Sequence, residues 1–125
     1  MLFRSDGRGA IHLVERRNGY SDIDETTNAS GAWTTSRLFG LPGSAMPFAA
    51  FEPSGRFVVA AQQSFGEAIT LGIRSPGGSL TWTTVTTVGD LSGLAIARDG
   101  RPLVAFSRVA QPGGTSRIWL AGSPQ

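Results

Sequence analysis

The chain has 125 residues, with seventeen glycines, seven prolines and no cysteine, and only 16% of it is charged. Disulfides, thiolate chemistry and cysteine-based zinc sites are thereby excluded, and so is the charge-rich composition of a disordered chain. All eleven basic residues are arginine, so a net charge of +2 coexists with a pI of about 10.4.

The arginines are scattered from Arg4 to Arg117, with only Arg16 and Arg17 adjacent, which is not the basic stripe of a nucleic-acid binder. No apolar run approaches the roughly 18 residues of a membrane-spanning helix. In chain order, a short apolar strand from Met1 to Ser5 runs into Asp6-Gly7, a dipeptide that suits a tight hairpin. A strand from Gly9 to Val14, a polar loop and a third strand around Ile23 follow. A turn then leads to an outer strand from Trp33 to Phe39.

The same order returns twice. Phe48 to Glu52 leads through Ser54-Gly55 into Phe57 to Ala61, then to a third strand at Leu71 and an outer strand from Trp82 to Val88. Leu94 to Ala97 leads through Asp99-Gly100 into Pro102 to Phe106 and a third strand at Trp119, and the sequence ends at Ser123-Pro124-Gln125. The second strands are apolar on both faces, as a strand buried between neighbouring sheets must be. Three markers carry the repeat. Trp33-Thr34-Thr35 and Trp82-Thr83-Thr84 lie 49 residues apart. Asp6-Gly7-Arg8, Ser54-Gly55-Arg56 and Asp99-Gly100-Arg101 recur at 48 and 45, and Thr27, Ser75 and Ser123 at 48 and 48. A period near 47 with four strands per unit is that of a propeller blade.

The expected fold is therefore all-β: β-propeller-type blades of four antiparallel strands, about two and three-quarters of them, in an open arc closed by further sequence or by assembly. Residues 1–125 form one repeat domain, with blade 1 at 1–40, blade 2 at 41–89 and an incomplete blade 3 at 90–125. Ile23, Leu71 and Trp119, 48 residues apart, are expected at equivalent buried sites. If the chain is a full-length product, open flanks carrying residues such as Val58, Leu103 and Phe106 are expected to make it self-associate into a homo-oligomer that closes the ring; if it is a fragment, the missing neighbour is covalent.

Candidate chemistry is sparse. Asp22, Asp24 and Glu25 form an acidic cluster that reads as a solvated strand edge, with a calcium site or a carboxylate pair as the sharper alternative. His12, the single histidine, aligns with Ala60 and Ala105 and reads as a structural residue, and the three tryptophans read as packing residues. The candidate ligand contacts are Glu15, Gln63 and Arg108, each eight residues beyond its turn glycine where the second strand enters its loop, together with Arg16 and Tyr20. No metal site, cofactor or catalytic residue is assigned.

Thr27-Asn28-Ala29-Ser30-Gly31-Ala32-Trp33-Thr34-Thr35 and Ser75-Pro76-Gly77-Gly78-Ser79-Leu80-Thr81-Trp82 resemble degenerate Asp-box turns of the sialidase-like (BNR-repeat) propellers. Ser75, Thr81 and Trp82 match that motif, while Gly77 stands in its Asp position and Ser79 in its Gly position. The resemblance implies the propeller fold and a secreted or cell-surface setting. A sialidase site would also need an arginine trio and a Tyr–Glu pair, and Tyr20 is the sole tyrosine. The expected function is a non-catalytic module binding a glycan or a protein, without nucleic-acid or membrane partners. The alternatives are a fragment of a sialidase-like glycoside hydrolase and a purely structural repeat segment of a truncated propeller protein.

Overall fold

The computed structural model describes residues 2–17, 22–40, 47–64, 66–109 and 116–122. Every element among them is a strand. The first sheet contains β1 (Leu2–Ser5), β2 (Ile11–Arg17), β3 (Asp22–Thr27) and β4 (Thr34–Gly40). The second contains β5 (Phe48–Phe51), β6 (Phe57–Gln62), β7 (Ile69–Arg74) and β8 (Thr81–Thr86). The third contains β9 (Asp90–Ile96), β10 (Pro102–Val109) and β11 (Ser116–Gly122). Neighbours in sequence pair antiparallel within each sheet, and the three sheets do not join into one.

The second sheet lies between the other two. Val14 and Ile23 of the first sheet pack with Ala49, Phe57, Val59 and Ala61 of the second. The alternate residues of the second sheet, Val58, Ala60, Ile69 and Leu71, pack with Val104 and Phe106 of the third. Every residue of β6 is buried, because a strand with a sheet on each face has no solvent side.

The hairpin joining the first two strands is the same in all three sheets. Asp6 N donates to Ala10 O at 3.0 Å and Gly9 N to Asp6 O at 3.2 Å. Glu52, Gly55 and Arg56 repeat this pair of bonds, as do Ala97, Gly100 and Arg101. The residue that must take positive φ is Gly9, Gly55 or Gly100, at 87°, 84° and 86°. This corrects the expected alignment, in which Gly7 held the place that belongs to Gly9.

The two-residue correction moves the columns. Counted from these glycines, His12 is equivalent to Val58 and Leu103, not to Ala60 and Ala105. Ile23 is equivalent to Ile69, not Leu71: it faces Arg16 as Ile69 faces Gln62, and the register of each with its outer strand slips just after it. Leu71 is buried as expected, but its counterpart in the first sheet is Glu25, which faces Val14 as Leu71 faces Ala60. Trp119 faces Phe106 on β11, and its side chain lies outside the described residues, as does Ser123.

The tryptophan marker also resolves differently. Thr34 faces Thr27 and Thr81 faces Ile73, so Trp82 aligns with Thr35, and Trp33 with Leu80. Trp82 covers Gly72, whose missing Cβ would stand 2.9 to 3.1 Å from the indole ring carbons, whereas Trp33 is 56% exposed. The resemblance in sequence therefore joins two tryptophans with different surroundings.

Candidate functional site

Where the first two sheets meet, the packed interface opens into a cleft of about 980 Å³. One wall is the Asp6 to Ala10 turn with His12 and Glu25, and the other is Phe51, Phe57 and Arg74 with the turn that follows it. The floor is a chain of hydrogen-bonded charged groups. Arg74 forks onto Glu25, with its two terminal nitrogens donating to Oε2 at 2.7 Å and Oε1 at 2.8 Å. Two parallel charge-assisted bonds fix both groups in position and orientation. Behind the fork the guanidinium carbon lies 4.7 Å from the centre of the Phe57 ring, within range of a cation–π attraction.

Glu25 also meets His12, whose Nδ1 lies 2.6 Å from Oε1. Glu25 is only 2% exposed. Burial alone would push its carboxyl up, but the bonds from Arg74 and His12 outweigh that and hold it below the usual carboxylate range. It is therefore ionised and can only accept, so His12 Nδ1 carries the hydrogen and donates. The imidazole is 4% exposed and packs against Phe51, with ring centres 4.5 Å apart, and more distantly against Phe57.

The far side of the imidazole is different. His12 Nε2 is buried and has no hydrogen-bond partner, and the nearest charged group is Asp6 Oδ2 at 3.6 Å. Asp6 is held by the turn it begins, since its Oδ1 accepts from Arg8 N at 2.9 Å and Ala10 N at 2.8 Å. Desolvation would raise this carboxyl, but the two backbone donors and His12 prevail and lower it.

Asp22 and Asp24, expected on a solvated edge together with Glu25, are buried as well. β3 is an interior strand of its sheet, flanked by β2 and β4, and not an edge. Arg37 of β4 pairs with Asp22 at 2.9 Å. Among the described residues, no three His, Asp or Glu side chains converge on a point where a metal ion could sit.

Of the expected ligand contacts, the described ones, Glu15, Arg16, Gln63 and Arg108, do not line the cleft. Glu15 faces Asp24 and Arg16 faces Ile23 along β2, both half-buried. Gln63 is half-buried just beyond β6, Arg108 is exposed and faces Arg117, and Tyr20 lies outside the described residues. Glu15 also leaves the expected column, standing six residues beyond Gly9 while Gln63 and Arg108 stand eight beyond Gly55 and Gly100. Asp6 and Arg74, which line the cleft, are not among the expected site residues. Asp6 reads as an ordinary turn residue, and nothing local marks Arg74, whose partner lies 49 residues away on another sheet.

No family model matches the chain, and no curated protein matches it. Among solved structures it is similar to a fucose lectin from Kordia zhangzhouensis in complex with methyl-fucoside. That likeness covers 94% of this chain and 89% of the lectin at 10% identity, with a TM-score of 0.51. At such identity it shows the fold alone, a lectin-like all-β arrangement. The sialidase-like resemblance of the Asp-box residues gains no support from these comparisons.

Proposed function

We propose that this chain is a non-catalytic, lectin-like module that binds a glycan in the cleft between its first two sheets. The observation that carries the reading is the Arg74–Glu25–His12 chain on the cleft floor, flanked by Phe51 and Phe57. A sugar offers hydroxyls that both donate and accept, together with apolar C–H faces. A fixed guanidinium, a fixed carboxylate and adjoining aromatic rings answer each of these, in the mixed pattern typical of small-molecule sites. The fucose lectin of similar fold binds a sugar, which agrees with this choice of ligand class.

The test is titration of the folded chain with methyl-fucoside and the methyl glycosides of galactose, mannose and glucose, followed by amide chemical shifts. Binding should map to the cleft and weaken at least tenfold in Arg74→Met and Glu25→Gln. A folded wild-type chain that binds none of the panel, or binding indifferent to both substitutions, overturns the reading.

We further propose that the sheets are successive propeller blades and that a second copy covers the two outer faces. Leu2, Val14 and Ile23 on one face of the first sheet correspond to Phe48, Ala60 and Ile69, which meet the third sheet. Each sheet thus offers one kind of face forward and another backward. Among the described residues no sheet covers the backward face of the first sheet, where Phe3 is exposed, or the forward face of the third, where Leu103 and Ala105 are only half-buried. Two copies could satisfy both faces by closed symmetry. Light scattering at micromolar concentration should give a dimer mass, and a monodisperse monomer overturns this part.

A further inference from the structure

At the gap between His12 Nε2 and Asp6 Oδ2 a buried side-chain atom of the cleft, His12 Nε2, is left without a hydrogen-bond partner. Glu25 obliges Nδ1 to donate, so in the neutral imidazole Nε2 presents a bare lone pair. Asp6, ionised, presents another acceptor 3.6 Å away. Two acceptors cannot satisfy each other, and a buried acceptor without a donor is costly. Only a donor arriving from the cleft, or a proton on Nε2 itself, resolves the conflict.

From this geometry, and resting on the glycan reading above, we infer that His12 Nε2 and Asp6 Oδ2 form a subsite for a donated ligand hydroxyl, open only while His12 is neutral. With a second proton the imidazolium donates to Glu25 through Nδ1 and to Asp6 through Nε2, and both acceptors are occupied from within. Ligand hydroxyl and proton therefore compete for one lone pair.

The surrounding charges agree. The turn contributes Asp6 and Arg8, β3 contributes Glu25 and β7 contributes Arg74. Arg4, which faces His12 on β1, is committed to the backbone carbonyls of Ala49 and Phe3. Phe51 and Phe57, packed on the ring from β5 and β6, carry no charge. With Arg74 cancelled by Glu25, the carboxylate nearest the gap is Asp6, which repels an anionic ligand group and favours a neutral donor. Burial in a pocket of this kind also makes the unused acceptor selective, because a ligand lacking the hydroxyl leaves it unpaired.

The experiment has two arms. Imidazole ¹⁵N spectra of the ligand-free chain at pH 8 should show the Nδ1–H tautomer, with Nε2 acquiring its proton on acidification. The Nε2–H tautomer at pH 8 overturns the inference and leaves glycan binding standing. The second arm titrates the neutral methyl glycosides and methyl glucosaminide at pH 8 and pH 5 into wild type and Asp6→Asn. Asparagine keeps the turn acceptor while its amide can donate to Nε2, so this variant should fold normally and bind at least tenfold more weakly at pH 8. Wild type should bind at least tenfold more weakly wherever the ¹⁵N spectra show Nε2 protonated. Equal affinity in two states that the ¹⁵N spectra show to differ in Nε2 protonation, or an unaffected Asp6→Asn, overturns the inference alone. Binding confined to the amino sugar assigns the gap to an ammonium and overturns the hydroxyl. No binding of any glycoside at pH 8 overturns both readings.

Discussion

The second sheet makes two junctions, and they use the same positions for different ends. Against the third sheet it presents Val58, Leu71 and Ile73, and that junction is sealed by apolar packing. The first sheet holds His12, Glu25 and Thr27 at the equivalent places, and that junction opens into the polar cleft. Opposite them, Phe51 and Phe57 of the second sheet correspond to Ile96 and Pro102 of the third. The repeat supplies a scaffold in which a column can carry either a core or a site.

Leu71→Ala should break the apolar junction most severely. The side chain is buried to 2% exposure, and its removal leaves a cavity between two sheets. Urea unfolding should show a loss of about 2–5 kcal/mol, with glycan binding of the remaining folded chain unchanged. A loss below about 0.5 kcal/mol would mean that the junction is not a close-packed core.

Glu25→Leu asks the converse, placing the apolar residue of one junction into the other. Alone it strands Arg74 and His12, and because Arg74 is 24% exposed the cost should be reduced to about 1–3 kcal/mol. The triple variant His12→Val/Glu25→Leu/Arg74→Met removes the whole polar chain and should recover most of that loss while abolishing glycan binding. Replacement of a buried ion pair by apolar residues of similar volume is often neutral or favourable. A triple variant less stable than Glu25→Leu alone would show the polar chain to be a stabilising element rather than a functional one.

Much of this architecture was legible in sequence. Gly-containing turns and short apolar runs marked strands in the order four, four, three, which is the order of the sheets. The slip came at Gly7-Arg8-Gly9, where two glycines flank an arginine and either can be set against Gly55 and Gly100. Only the turn hydrogen bonds to Asp6 select Gly9. Setting Gly7 against Gly55 and Gly100 displaces every column counted from it, so that Glu15 aligns with Gln63 and Arg108, and His12 with Ala60 and Ala105. The site itself was illegible for a further reason. Charged residues in a strand look solvent-facing, and their burial depends on partners such as Arg74 that only the stacking of sheets provides.

Gly72→Ala sharpens the contrast between the two tryptophans that sequence had equated. A Cβ on Gly72 would sit 2.9 Å from an indole carbon of Trp82, closer than carbon atoms tolerate, and β7 and the ring would have to separate. Overpacking of this sort costs about 1–3 kcal/mol. The indole fluorescence of Trp82 should shift to the red as water reaches it. Thr26, the equivalent of Gly72 in the first sheet, faces Thr35 and not Trp33, so Thr26→Ala should leave both stability and fluorescence nearly unchanged. Equal responses at the two positions would restore the equivalence of Trp33 and Trp82.

Acid should separate the junctions more gently. Burial works to raise the Glu25 carboxyl, yet the bonds from Arg74 and His12 leave it lowered from its ordinary 4.5. A folded-state value below the unfolded one means that the unfolded chain takes up the proton first. The stabilisation is thus complete above about pH 5 and disappears as pH falls through 4.5 and then through the lowered folded value. Asp6 and Asp99 are lowered too, so wild type loses stability in acid through more than one carboxylate. The informative quantity is the difference in slope between wild type and Glu25→Gln, read as the urea midpoint from pH 7 to pH 3.5. Glu25→Gln should start less stable and fall less steeply, because Gln cannot take up a proton in that range. Leu71→Gln, the same residue at the equivalent place in the apolar junction, should be destabilised without any change in slope. Parallel slopes for wild type and Glu25→Gln would place the acid sensitivity elsewhere and remove the electrostatic distinction between the two junctions.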